Sequence, residues 1–153
     1  MFKRILLPTD GSAFSRQAVA HGVRLAREHG AEVIGLHVLP EPRSDRLEAW
    51  MHHDPHFAAR RQALFERLAD DHLAHVAGCA RSESVPWRCT KIPAQDAATA
   101  IVEIARASHC DLIHMASHGW NEHGAPMPGG VTLGVLIRSP VPVLIFKPTQ
   151  ADP

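Results

Sequence analysis

Ile5-Leu6-Leu7-Pro8-Thr9-Asp10-Gly11-Ser12 is a short apolar run, stopped by a proline and followed by turn-forming residues. An unbroken apolar run of this length marks a strand buried on both faces, and the Pro-Thr-Asp-Gly-Ser segment marks the turn at its end. Past the turn the period changes. Phe14, Ala18, Gly22 and Leu25, with Val19, Val23 and Ala26, recur at spacings of three and four, which predicts an amphipathic helix stopped at Gly30. Ser12 stands where that helix needs a cap. Val33-Ile34-Gly35-Leu36-His37-Val38-Leu39 then reads as a second strand. Buried strand, helix, buried strand is the βαβ unit of a parallel sheet.

The same alternation continues outward. Pro40 to about Pro55 is polar, holds three prolines and is long beside the roughly 2–6 residues typical of connections, so residues 39–56 are expected to form a long flexible loop. Leu64, Phe65, Leu68, Leu73 and Val76 then predict the longest helix, from about His56 to Ala77. Val85, Trp87 and Cys89 alternate with Pro86, Arg88 and Thr90, and the proline inside that run predicts an edge strand. Ala97, Ile101, Ile104 and Ala105 place a third helix from about Ala94 to Ser108. Leu112 to Ala116 is another buried strand, Val131 to Arg138 a short helix, and Val141 to Phe146 a last strand. The expected fold is doubly wound α/β, a mostly parallel sheet with helices on both faces, in one domain over residues 1–153.

Composition narrows the partners. Lys plus Arg and Asp plus Glu both total 16, so no net charge draws the chain to nucleic acid or to an anionic membrane. The three cysteines Cys79, Cys89 and Cys110 are odd in number with no Cys-x-x-Cys pair, which reads as buried thiols in a reduced setting. The first apolar run is too short for a signal-peptide core or a membrane span, so a cytoplasmic location is expected.

In open α/β sheets ligands sit outside the carboxyl ends of strands, where the winding direction changes. Two segments compete for that place. One is Pro8-Thr9-Asp10-Gly11-Ser12; the other is Ala116-Ser117-His118-Gly119, followed by nine residues and then Gly129-Gly130-Val131. Asp10 is either a ligand-binding carboxylate or a turn-former and helix cap. The Gly119 to Gly130 segment is either a phosphate loop or a rigid Pro-containing connector.

With these residues in view, the chain resembles the universal stress protein family over nearly its whole length. The carriers are the opening Ile5 to Ser12, Leu36-His37-Val38, Asp111-Leu112-Ile113, Met115-Ala116-Ser117-His118-Gly119 and Val141-Pro142-Val143-Leu144-Ile145. The resemblance implies a five-stranded parallel sheet in the order 3-2-1-4-5, with a crevice between the first and fourth strands. It implies an adenine-nucleotide site on Pro8, Thr9, Asp10, Val38, Met115, Ala116, Gly119, Gly129, Gly130 and Val131, with Asp10 on the ribose or adenine edge and the Val38 backbone on the base. It also implies a regulatory role without turnover, and a homodimer paired through the last strand, Val141 to Phe146.

ATP-binding members of the family carry Gly, two residues, Gly, nine residues, then Gly and Ser or Thr. Here the spacing is kept, with Ala116 in place of the first Gly and Gly130 in place of the hydroxyl residue. No Lys or Arg occurs between Ser117 and Ile137. Each missing charge-assisted contact costs about 1.5–3 kcal/mol, so AMP or adenosine is favoured over ATP with Mg2+. The first alternative keeps the fold and acts through protein contacts with no nucleotide. The second is a metal-dependent hydrolase built on His52, His53, Asp54 and His56, a residue set suited to zinc or nickel. The sequence holds no Gly-x-Gly-x-x-Gly, no Gly-x4-Gly-Lys-Ser/Thr and no Gly-x-Ser-x-Gly, and no enzyme activity is expected.

Overall fold

The structure is a computed structural model that describes residues 1–41, 56–117 and 129–147. Its elements run β1 (Arg4–Pro8), α1 (Ala13–His29), β2 (Glu32–Pro40), α2 (Phe57–Ser82), β3 (Trp87–Ala94), α3 (Ala97–Ala107), β4 (Leu112–Ala116), α4 (Gly130–Arg138) and β5 (Val143–Phe146). All five strands are parallel in the order β3-β2-β1-β4-β5.

β1 lies at the centre, which is why Ile5, Leu6 and Leu7 are all apolar. Strand alternation sends Ile5 and Leu7 to one face, where they pack with Val19, Val23 and Ala26 of α1 and Val76 and Ala80 of α2. Leu6 goes to the other face, against Ile101 and Ala105 of α3 and Val135 of α4. The chain steps outward from β1 through β2 to β3, then returns past β1 to β4. Right-handed crossovers running in opposite directions put their helices on opposite faces, so the winding reverses between β1 and β4. That seam is thinly joined: Ile5↔Leu112 and Leu6↔Ile113 are its register pairs, whereas β2 and β3 pair from Val33↔Trp87 to Pro40↔Ala94. At the amino end of the seam the Asp111 carboxylate accepts from the Lys3 and Arg4 amides at 2.8 and 3.1 Å.

Helix α1 is capped as the sequence implies. Ser12 Oγ accepts from the Ser15 amide, and Gly30 closes the helix with φ of 65°. Four expectations need correction. Leu64 and Leu68 are 48% and 38% exposed; the buried stripe of α2 is Ala69, Leu73, Val76, Ala77 and Ala80, and the helix runs on to Ser82. Small residues face the sheet there because α2 packs closely over Gly35, whose added Cβ would lie 2.9 Å from Cys89 Sγ and 3.0 Å from Val76. The third helix begins at Ala97, since Pro93 and Ala94 extend β3 and Asp96 caps α3 by accepting from the Ala98 and Thr99 amides. β3 is an edge strand as expected, and bonds from Val33 and Glu41 amides to Pro86 and Ala94 carbonyls turn the nitrogen of Pro93 to the open side. The last strand starts at Val143, because Ser139 Oγ bonds the Val141 backbone and holds that residue in a turn. Of the cysteines Cys110 alone is buried, and burial pushes its thiol up to about 11; Cys79 and Cys89 are half-buried. No helix among the described residues is long and apolar enough to cross a membrane.

Candidate functional site

The reversal of winding leaves an opening at the carboxyl ends of β1 and β4, and β2 overhangs it. The last bond across the β1–β2 seam is the Thr9 amide to the Leu36 carbonyl at 2.9 Å, whereas β2 continues to Pro40. In a parallel sheet successive residues of a strand turn their peptide groups to opposite neighbours. Glu32 bonds to Lys3 of the β1 side and Leu36 to Thr9, so the N–H and C=O of Val38 also point to that side, beyond the end of β1. They face a cavity of about 320 Å³.

Pro8, Thr9, Asp10, Val38, Met115, Ala116, Gly129, Gly130 and Val131, all singled out from the sequence, line this cavity together. Gly119 lies outside the described residues, as do His118 and Trp120. Leu36, Ala97 and Ile101 add an apolar wall, and Ser15, His37 and Thr132 add polar groups that the sequence reading had not placed there. Thr132 is the notable addition: the hydroxyl absent at Gly130 is present two residues on, where Thr132 Oγ1 donates to the Ala116 carbonyl at 3.3 Å. Gly129 caps α4 without a side chain, leaving first-turn amides at the cavity rim. No Lys or Arg lines the cavity among the described residues.

Three elements hold the turn that carries Asp10. From α1, Ser15 Oγ lies 2.6 Å from Thr9 Oγ1 and accepts from the Asp10 amide at 3.3 Å. Within the turn, Asp10 Oδ1 accepts from the Ser12 amide and Thr9 Oγ1 from the Gly11 amide. From β2, His37 Nδ1 lies 2.8 Å from the Thr9 carbonyl. A carbonyl only accepts, so that nitrogen carries the proton. From α2, the His72 ring covers Gly11, where φ is +78° and an added methyl would overlap the imidazole. Burial, followed by His37 and Arg16, holds the His72 imidazole below its ordinary range, with Asp10 and Asp71 pulling the other way.

Below the cavity on the α1 side sits a second imidazole pair. His114 Nε2 is 2.9 Å from His21 Nδ1, the two rings stack, and Phe146 packs on His21. Both strand histidines, His37 and His114, are buried, but His114 Nδ1 has no hydrogen-bond partner. His52, His53 and Asp54 lie outside the described residues, and His56 immediately precedes α2. Among the described residues no three His, Cys, Asp or Glu side chains are grouped to hold a metal ion.

A doubly wound sheet with a crevice at its switch point, a carboxylate on one lip and a glycine-opened helix on the other, defines an open α/β domain of the switch-point type. A family model for universal stress proteins matches residues 1–147, and the chain belongs to that family. It is 32% identical over 154 residues to a universal stress protein of Thermus aquaticus encoded 3′ of a sulfhydrylase, covering 96% of this chain and 100% of that one. Among solved structures, a universal stress protein in complex with cAMP superposes with a TM-score of 0.71 at 20% identity, over 95% of this chain and 97% of that one. Another, from Archaeoglobus fulgidus in complex with dAMP, gives 0.64 at 15% identity, over 95% and 97%. At those identities the likeness shows the fold alone.

Proposed function

We propose that the chain is a single regulatory domain of the stress response that binds an adenine nucleoside or its monophosphate in the β1–β4 crevice, without turning it over. The observation that carries this reading is the convergence on one cavity of Asp10 and the outward-facing N–H and C=O of Val38. A strand residue presents its own N–H and C=O side by side along one edge, a donor and an acceptor that suit the ring nitrogen and exocyclic amine of adenine. The apolar lining, from Leu36, Ile101 and Met115 among others, suits the faces of a base. That two structures of this fold are described with cAMP and dAMP supports a ligand of this size.

Charge argues against a triphosphate. The α4 N-terminus offers amides to one phosphate, but with no cationic side chain on the cavity wall among the described residues a tetra-anion loses about 1.5–3 kcal/mol per missing contact. Calorimetric titration with adenosine, AMP and ATP, the last with and without Mg2+, tests the reading. AMP is expected to bind as well as ATP or better, with no hydrolysis. A tenfold preference for ATP, about 1.4 kcal/mol, would show that backbone amides suffice. An added Cβ at Gly130 meets nothing within 4 Å, so Gly130→Ser fits; it is expected to raise ATP affinity more than adenosine affinity.

The domain is further proposed to act as a homodimer through the β5 edge, Val141 to Phe146. Leu144 is 40% exposed on that edge strand, and Leu136 and Ile137 of the preceding helix are 40% and 75% exposed. Apolar edges left in water template association. Leu144→Lys is expected to shift the protein to monomer by light scattering; a monomeric wild type would remove the proposal.

A further inference from the structure

We infer that His72 is a positioning residue for the crevice: lying on Gly11 and paired with His37, it holds the Thr9-Asp10-Gly11 turn in its binding shape while neutral and releases it when protonated, so that ligand binding is proton-dependent. The ligand half of this inference rests on the nucleoside reading above; the clamp rests on geometry alone.

His37 Nδ1 must donate to the Thr9 carbonyl, and His72 Nδ1 lies 3.4 Å from that same nitrogen, with ring centroids 4.9 Å apart. Two N–H groups cannot face each other at that distance, so His72 Nδ1 presents its lone pair and the proton of the neutral ring sits on Nε2, over Gly11. A second proton can only go to Nδ1. It would set N–H against N–H, so the protonated ring has to swing off Gly11. The other charged groups around His72 reinforce the switch. Arg16 on α1 repels the imidazolium, while Asp10 on the turn and Asp71 on α2 attract it. His75, one turn along α2, approaches the Arg16 carbonyl with Nε2 at 3.4 Å and adds a further titratable neighbour. An imidazolium drawn to Asp10 competes with the ligand for that carboxylate, so both consequences of protonation weaken binding. The backbone explains why the clamp needs an aromatic lid at this place: Gly11 has no side chain to anchor the turn, and only its missing Cβ lets the His72 ring lie against it.

The test has three arms. Adenosine affinity of the wild type, measured between pH 7.5 and 5, is expected to fall as pH falls, by no more than roughly tenfold per pH unit, the limit for one proton. His72→Gln keeps a neutral acceptor for the His37 N–H; it is expected to lose less affinity at pH 7.5 than His72→Leu and to lose the pH dependence. In ligand-free protein the Gly11 amide resonance is expected to titrate together with the His72 ring in wild type and to stay still in His72→Gln. Wild-type adenosine affinity independent of pH, or a His72→Gln variant with the wild-type profile, would overturn the inference. Absence of adenosine binding at pH 7.5 would overturn the nucleoside reading, and the Gly11 titration would still decide whether the clamp exists. Circular dichroism at each pH separates loss of binding from loss of fold.

Discussion

Between about pH 6.5 and pH 4 the folded protein is expected to lose about 3 kcal/mol of stability through one side chain, His114. This imidazole is 1% exposed on the strand beside the central one; burial first, and His21 second, push it down to about 4. Its Nδ1 has no partner, and Gly22 passes so close that an added Cβ would lie 3.2 Å from it, so no protein group is there to take up a second N–H. The unfolded chain titrates near 6.5 and binds its proton first. Stability is therefore full above pH 6.5 and drains away as pH falls toward the folded value, at about 1.36 kcal/mol for each unit of the gap. Urea melts at pH 7 and pH 4.5 measure it. His114→Leu fills the same space without a titrating group, and its loss over that interval is expected to be smaller than the wild type's by most of this amount. His72 titrates in the same direction and remains in both proteins, as does Asp96, whose lowered carboxyl also costs stability in acid. Equal losses in the two proteins would show that His114 is solvated or partnered.

Asp10→Ala is expected to weaken adenosine binding ten- to a hundredfold, about 1.4–2.7 kcal/mol, the range for a hydrogen bond to a charged group. The fold cost is expected to stay near 1 kcal/mol. The Asp10 carboxylate is at the surface and takes the Ser12 amide, while Ser12 itself caps α1. Asp10→Asn keeps an acceptor without the charge and is expected to fall between wild type and Ala. Calorimetry gives the affinities and thermal melts the stability; unchanged adenosine affinity in Asp10→Ala would remove this carboxylate from the site.

The parts legible in the sequence are those written in short-range chemistry. A strand buried on both faces must read as Ile5-Leu6-Leu7, and a turn before a capped helix must read as Asp10-Gly11-Ser12, whatever surrounds them. The strand order and the crevice between the first and fourth strands came from resemblance, and the sheet has that order. Groups that reach the crevice from a distance left no such mark. Ala97 and Ile101 read only as a helix face, and nothing local says that this face ends at a cavity. Ser15 had a faint signal, a second hydroxyl three residues after Ser12, which in retrospect ties the cap to the turn. Thr132 carries no local signal, because the family's hydroxyl stands at position 130 and here is glycine, while the one that reaches the crevice lies two residues on. In α2 the large residues Leu64 and Leu68 mark helical spacing but not the buried stripe, because close packing over Gly35 selects Ala69, Ala77 and Ala80. His72 could not be found at all: its meaning depends on Gly11 and His37, which lie far from it in the chain.

The thin seam between β1 and β4 divides the sheet into two wings of unequal cohesion. One wing, β3-β2-β1, is knitted along its full length; the other, β4-β5, joins it at Ile5↔Leu112 and Leu6↔Ile113 and at the Asp111 clasp. The clasp and the cavity sit at opposite ends of that seam, so the open end is where amide hydrogens of β4 would first exchange with solvent as the wings breathe. Anything lodged between Asp10 and the first turn of α4 would bridge the wings at that end, acting as the missing rungs of the ladder. Occupancy would then be reported as a change in how firmly the β4-β5 wing is held, and that wing carries the very edge through which two copies would meet.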